Sequence, residues 1–405
     1  MAAIDLIKQE TLRQNSTIDL IASENVASPA VRAALGSVFT NKYAEGRPGA
    51  RYYAGNSVVD ELELMVERQV LELFVPSSLQ ADWRANVQPL SGSPANLAIY
   101  TALLQPGDTI LSLSLSSGGH LSHGHQVTLP GKLYHIEQYT VDPTTEQIDY
   151  DSLQKQAEAV KPKLLIVGGS AYPRQLDFAR AAEIAQSVGA YLLADVSHIA
   201  GLIVGGVHPS PIPHADVVMT TTHKTLRGPR GAVVMARAKL AEQINKGIFP
   251  GVQGGPHLNQ LAALAVALEE AAAPEFKIYA KQVVDNAQAL AAGLQQRGWR
   301  LVSGGTDTHL ILADLSGLKL TGGEAQRRLE AAGIVANANA IPFDTRSPRD
   351  PSGIRFGTAS VTTRGANQLW CTELADVIDT VVRSEKAINP KIIAVLLAKL
   401  VKVAP

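Results

Sequence analysis

Through the middle of the chain, apolar runs with little polar interruption alternate with segments of helical periodicity. They are TILSLSL (109–115), KPKLLIVGG (161–169), the helical DFARAAEIAQSVG (177–189), AYLLADV (190–196), ADVVMTT (215–221) and GAVVMAR (231–237). A strand with one face in water alternates apolar and polar residues, whereas a strand apolar throughout must be covered on both faces. The pattern predicts an α/β fold whose parallel or mostly parallel sheet lies between helical layers.

The flanking segments read differently. Residues 1 to about 20 form a short amphipathic arm, and SPAVRAALGSVF begins a helix capped by Ser28 with Pro29 in its first turn. Ser57 opens a further helix, SVVDELELMVERQVLELF. Beyond Pro274 come a long helix (FKIYAKQVVDNAQALAAGLQQRG), a strand (HLILADL), a helix begun by a capping box from Thr321 to Glu324, and a last helix, ANQLWCTELADVIDTVVRSEK. The expected division is an arm (1–20), a large domain (21–274) and a smaller C-terminal α+β domain (275–405), with AAAP at Ala271 as the hinge.

Composition removes several classes of function. With 405 residues, 46% hydrophobic and 18% charged, the chain has ample apolar surface for a folded core. A formal charge of −1 and the lack of a basic cluster argue against a nucleic-acid partner. Cys371 is the single cysteine, which excludes an internal disulfide and a cysteine-rich metal site. No run approaches roughly 18 apolar residues, and the first residues are too charged for a signal peptide, so no membrane span and a cytoplasmic location are expected.

Lys224 raises the sharpest chemical question. It stands in MTTTHKTLRGPRG, between two apolar runs that read as buried strands, where a cation is costly unless it is paired or neutralised. Asp195 ends the run AYLLAD at the carboxyl edge of the sheet, the side on which such folds bind ligands, and His198 follows three residues later. No glycine is followed by another two positions on, so the dinucleotide fingerprint is absent, and so is the Walker pattern. In SGSPANLAIYTALL, however, Ser91, Gly92 and Ser93 precede a helix start with Pro94 in its first turn. Free backbone N–H groups and small hydroxyl residues there suit a phosphate. Taken singly, each feature has a plainer reading: a solvated loop lysine, a capping acid, Ser93 as an N-cap. Jointly they supply a nucleophilic amine, a partner for a pyridine nitrogen and a phosphate cradle, as pyridoxal phosphate chemistry requires.

Two further motifs bear on the site. GGHLSHGHQ holds His120, His123 and His125; without a carboxylate ligand cluster, stacking on a flat cofactor or capping is favoured over metal binding. Arg355 in GIRFGT suits a substrate carboxylate, a surface ion pair being the alternative.

The chain resembles serine hydroxymethyltransferases, fold-type I pyridoxal phosphate enzymes of the aspartate aminotransferase-like class. The likeness runs through LIASEN, NKYAEG, RYYAGN, VQPLSGSPAN, GGHLSHG, SAYPR, ADVSHIAG, TTTHKTLRGPRG, VQGGP, SGGTDTHL and SGIRFGTASVTTRG. It implies a seven-stranded, mostly parallel sheet and a homodimer, or a tetramer of paired dimers, with shared active sites. It further implies reversible transfer of the hydroxymethyl carbon of serine to tetrahydrofolate, yielding glycine and methylenetetrahydrofolate.

By the same resemblance Lys224 forms the Schiff base to the cofactor, Asp195 partners the ring nitrogen and His120 stacks on the ring. Ser91, Gly92 and Ser93 hold the phosphate with Gly255 of the neighbouring subunit. Ser170 and His198 lie near the ring hydroxyl, with Thr221 and His223 beside the lysine. Arg355 binds the substrate carboxylate with Ser23 nearby. Tyr43, Glu45 and Tyr53 come from the other subunit, with Glu45 as the acid–base group. Tyr52, Leu115, Gly119, Leu121 and Asn339 line the folate pocket with Glu45. Departures from the family pattern fall at Arg47, Ala54, Ser57 and Ala338, and GTAS lacks a proline after Gly-Thr. Fold and cofactor alone leave open a folate-independent hydroxy-amino-acid aldolase, or a cofactor-binding protein without catalysis.

Overall fold

The computed structural model describes residues 2–384 and 390–403. A seven-stranded sheet forms its centre. In chain order its strands are β1 (Trp83–Asn86), β2 (Thr109–Leu113), β3 (His135–Tyr139), β4 (Leu164–Gly168), β5 (Tyr191–Asp195), β6 (Val217–Thr221) and β7 (Ala232–Arg237). Spatially they run β1-β7-β6-β5-β4-β2-β3, with β7 antiparallel to both neighbours and the rest of the sheet parallel.

Both faces of this sheet are dry, and that accounts for the unbroken apolar runs. Along β4, Leu165 and Val167 enter one core while Leu164 and Ile166 enter the other, all four fully buried. Alternation of side-chain direction persists, but no face is left for polar residues. The run TILSLSL stops being a strand at Leu113, where a turn closed by Ser117 N–H on the Ser114 carbonyl takes over. Strands β1 and β3, absent from the apolar-run pattern, carry exposed Arg84 and His135 at the two sheet edges, where a polar side chain costs little.

A four-stranded antiparallel sheet follows: β8 (Arg300–Leu301), β9 (Leu310–Asp314), β10 (Asn337–Asn339) and β11 (Gly353–Gly357), in the order β8-β9-β11-β10. The helices Leu258–Ala272 and Pro274–Gln296 are separated only by Ala273. The second contributes Phe276 and Val283 to the core of the large sheet, and Leu290 and Leu294 to the core of the small one. Of the expected capping box, Thr321 accepts from Glu324 N–H at 3.1 Å, but Glu324 turns to Arg328 instead of returning to the cap. The last long helix is Gln368–Arg383, capped by Asn367; Glu385 and Lys386, expected to continue it, lie outside the described residues. A further helix, Pro390–Ala398, follows.

The N-terminal segment is a strap across these parts. After the helix Ala3–Ser16, Ile18–Asp19 pairs in parallel with Ile334–Val335, and Ile18 and Leu20 are buried in the smaller core. The Leu20 carbonyl accepts from Gly357 N–H at 2.8 Å. A side chain at Gly357 would meet Ala22 Cα at 2.3 Å, so close seating of the strap requires glycine there.

Arg47, where the family pattern differs, belongs to a buried polar cluster. Glu63, in the helix Ser57–Phe74, is fully buried and accepts from Arg47 (2.8 Å), Arg51 (2.6 Å) and Gln88 (2.7 Å). Arg51 and Gln88 also donate to the Gly46 carbonyl, fixing the loop that carries Tyr43 and Glu45. Arg47 also pairs with Glu67 (2.6 Å) and Arg51 with Asp60 (2.8 Å), so removing Glu63 leaves both cations partnered and strands chiefly hydrogen-bond donors, at a cost of about 1–3 kcal/mol. Glu63→Ala is therefore expected to lower unfolding free energy by about that much in chemical denaturation; a loss of under about 1 kcal/mol would mean that the cluster is dispensable.

Candidate active site

The ends of β4, β5 and β6 open onto a cavity of about 320 Å³. Its wall includes Ser23, Ser91, Gly92, Ser93, His120, Ser170, Asp195, His198, Thr221, His223, Lys224 and Arg355, so twelve of the anticipated residues converge although they span most of the chain. Parallel strands end on one side of a sheet, and the loops that follow them meet there.

Lys224 is 8% exposed, which removes the reading of a solvated loop charge. Burial, opposed by the nearby Asp195 charge, brings its pKa from 10.5 to about 8. Asp195, at the end of β5, is held by four donors. Oδ2 accepts from His123 Nε2 at 2.8 Å and Asn96 Nδ2 at 3.0 Å; Oδ1 accepts from Ser197 Oγ at 2.6 Å and Ser197 N–H at 3.1 Å. Burial alone would raise its pKa, but these bonds, that of His123 foremost, hold the carboxyl well below the usual carboxylate range.

The three histidines have separate tasks. His120 lines the cavity, and its Nδ1 accepts from Ser122 N–H at 3.1 Å, which leaves the hydrogen of the neutral ring on Nε2. Burial brings its pKa to about 4. His123 lies behind it as the donor to Asp195, and His125 accepts from Val127 N–H in the following turn. Asn96 and Ser197 were not anticipated, nor was His123 as a partner of Asp195; the only signal for them is that a buried carboxylate needs donors, and the sequence does not say which.

The anticipated phosphate cradle differs in detail from the capping alternative. Ser91, not Ser93, is the N-cap residue of the helix Gly92–Leu103, and its side chain makes no capping bond. The hydroxyls and helix N–H groups therefore remain available to an anion. A Cβ on Gly92 would meet Thr221 Cγ2 at 2.7 Å, so this end of the helix can approach β6 only as glycine.

Arg355, on β11, is 8% exposed and lies against the same cavity, so it is no surface ion pair. It donates to Asn337 Oδ1 at 3.2 Å and to the Ser170 carbonyl at 2.5 Å, and among the described residues no carboxylate pairs with it. Burial brings its pKa down to about 10. Asp195 is the one acid among the described lining residues, against Lys224, Arg230 and Arg355. Such a wall favours an anionic ligand, and its free amine, carboxylate and cradle fit pyridoxal phosphate.

The remaining anticipated residues lie off this wall. Tyr43 donates to Glu45 Oε1 at 3.0 Å and packs edge-on against Tyr53 at 5.1 Å; a Cβ on Gly255 would touch the Tyr43 ring at 3.4 Å. They form one cluster of their own. Tyr52 is 76% exposed, Leu115 36% and Leu121 44%. Gly119 is buried, and Asn339, on β10, donates to the Ala340 carbonyl at 2.7 Å.

Comparison with known proteins decides the family. Residues 1–378 match the family model described as serine hydroxymethyltransferase. The chain belongs to the serine hydroxymethyltransferase family. It is 54% identical to the serine hydroxymethyltransferase of Coprothermobacter proteolyticus, over 94% of this chain and 91% of that protein. Against that of Acidobacterium capsulatum it is 52% identical, covering 93% and 86%; against that of Desulfotalea psychrophila, 51%, covering 94% and 88%. The mixed seven-stranded sheet is that of a fold-type I enzyme, and the family uses pyridoxal phosphate with tetrahydrofolate as co-substrate.

Covalent attachment of the cofactor at Lys224, as anticipated from the sequence, would require the neutral amine. Because that amine loses its proton near pH 8 rather than 10.5, the rate at which cofactor-free enzyme recombines with pyridoxal phosphate is expected to rise with pH and level off just above 8. Stopped-flow absorbance measures it, with Lys224→Ala as the blank; a rise continuing toward 10.5 would place the amine in water.

Proposed function

We propose that the cavity is the cofactor and serine site of a serine hydroxymethyltransferase, and that its residues divide the work as follows. Lys224 supplies the amine that joins the cofactor covalently. Asp195, kept ionised by its four donors, holds a proton on the ring nitrogen. His120 covers one face of the ring. Ser91, Gly92 and Ser93 bind the phosphate, and Ser170 and His198 face the ring hydroxyl, with Thr221 and His223 flanking the lysine. Arg355, with Ser23 near it, orients the substrate by its carboxylate. When bound, the protonated ring of the cofactor delocalises the electron pair left at the α carbon of the amino acid.

The observation that carries this reading is the buried Lys224 facing the same cavity as a buried Asp195 and an Arg355 without a carboxylate partner among the described residues. Its test is cleavage of serine with and without tetrahydrofolate. Acceleration by folate is expected; equal rates would leave a folate-independent aldolase in its place.

The cluster of Tyr43, Glu45, Tyr53 and Gly255 supports a site shared between two copies of the chain, in which Glu45 acts as acid and base on the neighbour's substrate. Tyr52, Leu115, Gly119, Leu121 and Asn339, with Glu45, would then border the folate, and the exposure of three of these apolar side chains fits a surface that a partner and a ligand cover. The assembly proposed is a cytoplasmic homodimer, or a pair of them; among the described residues no helix is long and apolar enough to cross a membrane. Lys224→Ala and Glu45→Ala should each be nearly inactive alone. Refolded together they should recover about a quarter of wild-type activity, because half of the dimers are hybrids with one intact site of two. No recovery would mean that both residues serve the cavity of their own chain.

A further inference from the structure

Two buried histidines from distant parts of the chain meet behind the cavity. His198 follows β5, and His309 immediately precedes β9; they are 4% and 0% exposed. His198 Nδ1 lies 3.2 Å from His309 Nε2, and that Nε2 is also 3.1 Å from the carbonyl oxygen of Ala22. His309 Nδ1 is buried without a hydrogen bond.

These contacts determine where the protons sit. A carbonyl oxygen only accepts, so His309 Nε2 must carry hydrogen; otherwise two lone pairs would face each other at 3.1 Å. A neutral ring with its hydrogen there leaves a bare acceptor at Nδ1, which is cheaper to bury unpaired than an N–H. Burial, and next to it the Arg355 cation, keeps His309 neutral by bringing its pKa to about 3. As Nε2 of His309 is a donor, shared between Ala22 and His198, Nδ1 of His198 must be the acceptor. Burial and then the charge of Lys224 hold His198 neutral as well. Its one ring hydrogen is thereby left to Nε2, and His198 lines the cavity.

We infer that His309 is a positioning residue: the chain from the Ala22 carbonyl through His309 locks His198 as the Nε2–H tautomer, presenting a hydrogen-bond donor to an anionic oxygen bound in the cavity. The identity of that oxygen, on cofactor or amino acid, rests on the functional reading above; the tautomer does not. Ala22 precedes Ser23 on the cavity wall and Gly357 packs against it, so the strap and the smaller sheet reach His198 through one hydrogen-bonded relay.

Long-range 15N–1H spectra of histidine-labelled holoenzyme without substrate read the tautomer directly, with His198→Asn used to assign the signal. The wild type should show His198 with hydrogen on Nε2 alone. His309→Leu should release an Nδ1–H population, and lower kcat/KM for serine about tenfold, the effect of one lost hydrogen bond. His309→Gln, whose amide can donate in the same direction, should keep the wild-type tautomer and most of the activity. If the leucine variant does not fold, His309→Asn, polar but too short to reach both acceptors, takes its place. An Nδ1–H His198 in the wild type, or an unchanged tautomer without the His309 ring, overturns the inference. Because the spectra need no turnover, that outcome is separate from any failure of folate to accelerate serine cleavage.

Discussion

The carboxylate of Asp195 is the fixed point of this molecule. It sits at the end of a central strand, 7% exposed, where an unsupported charge would protonate. Four donors prevent that, one from Asn96 in the helix Gly92–Leu103, one from His123 in the turn after β2, and two from Ser197 in its own loop. Each hydrogen bond to a charged group contributes about 1.5–3 kcal/mol, so four together offset a desolvation cost of several kcal/mol. Lys224, in the same cavity, lies close enough for this charge to act on its amine.

That arrangement leaves the wall unbalanced by design of its residues. Lys224 and Arg355 are both buried, both have their pKa lowered chiefly by desolvation, and only Lys224 lies near enough to Asp195 for that charge to oppose the effect. The two neutral histidines beside them, His198 and His309, add donors without adding charge. A site built this way favours a ligand carrying several negative charges, and it supplies an unprotonated amine at moderately alkaline pH. Lysine and arginine are suited to these separate duties, since one loses its proton on burial far more readily than the other.

The site is also where the two sheets are joined. Arg355 leaves the smaller sheet to donate to Ser170 of the larger part, His309 reaches His198, and the strap 18–25 runs from the smaller core to the cavity, with Asn25 donating to the Lys224 carbonyl at 2.9 Å. Beside a small apolar cluster of Ala171, Val302, Leu312 and Ile341 that spans the same two parts, polar contacts tie cavity-facing groups together here. Their directionality holds side-chain geometry in a way that close packing alone does not.

Much of this was legible in the chain itself. Apolar runs of strand length required a sheet covered on both faces, and Lys224 and Asp195 beside such runs, with Ser91–Ser93 at a helix start, pointed to a ligand site, because strand ends and helix N-termini are where these folds bind ligands. Periodicity could not reveal β1 and β3, whose edge positions tolerate polar residues, nor the half-formed box at Thr321, where Glu324 had a better partner in Arg328. Nor could it reveal that His123 supports Asp195, or that His309 stands behind His198. Residue type and local spacing determined which chemistry was available; only the tertiary structure decided which donor meets which acceptor, because a hydrogen bond depends on distances between residues that the sequence separates by 72 positions for His123 and Asp195 and by 111 for His198 and His309.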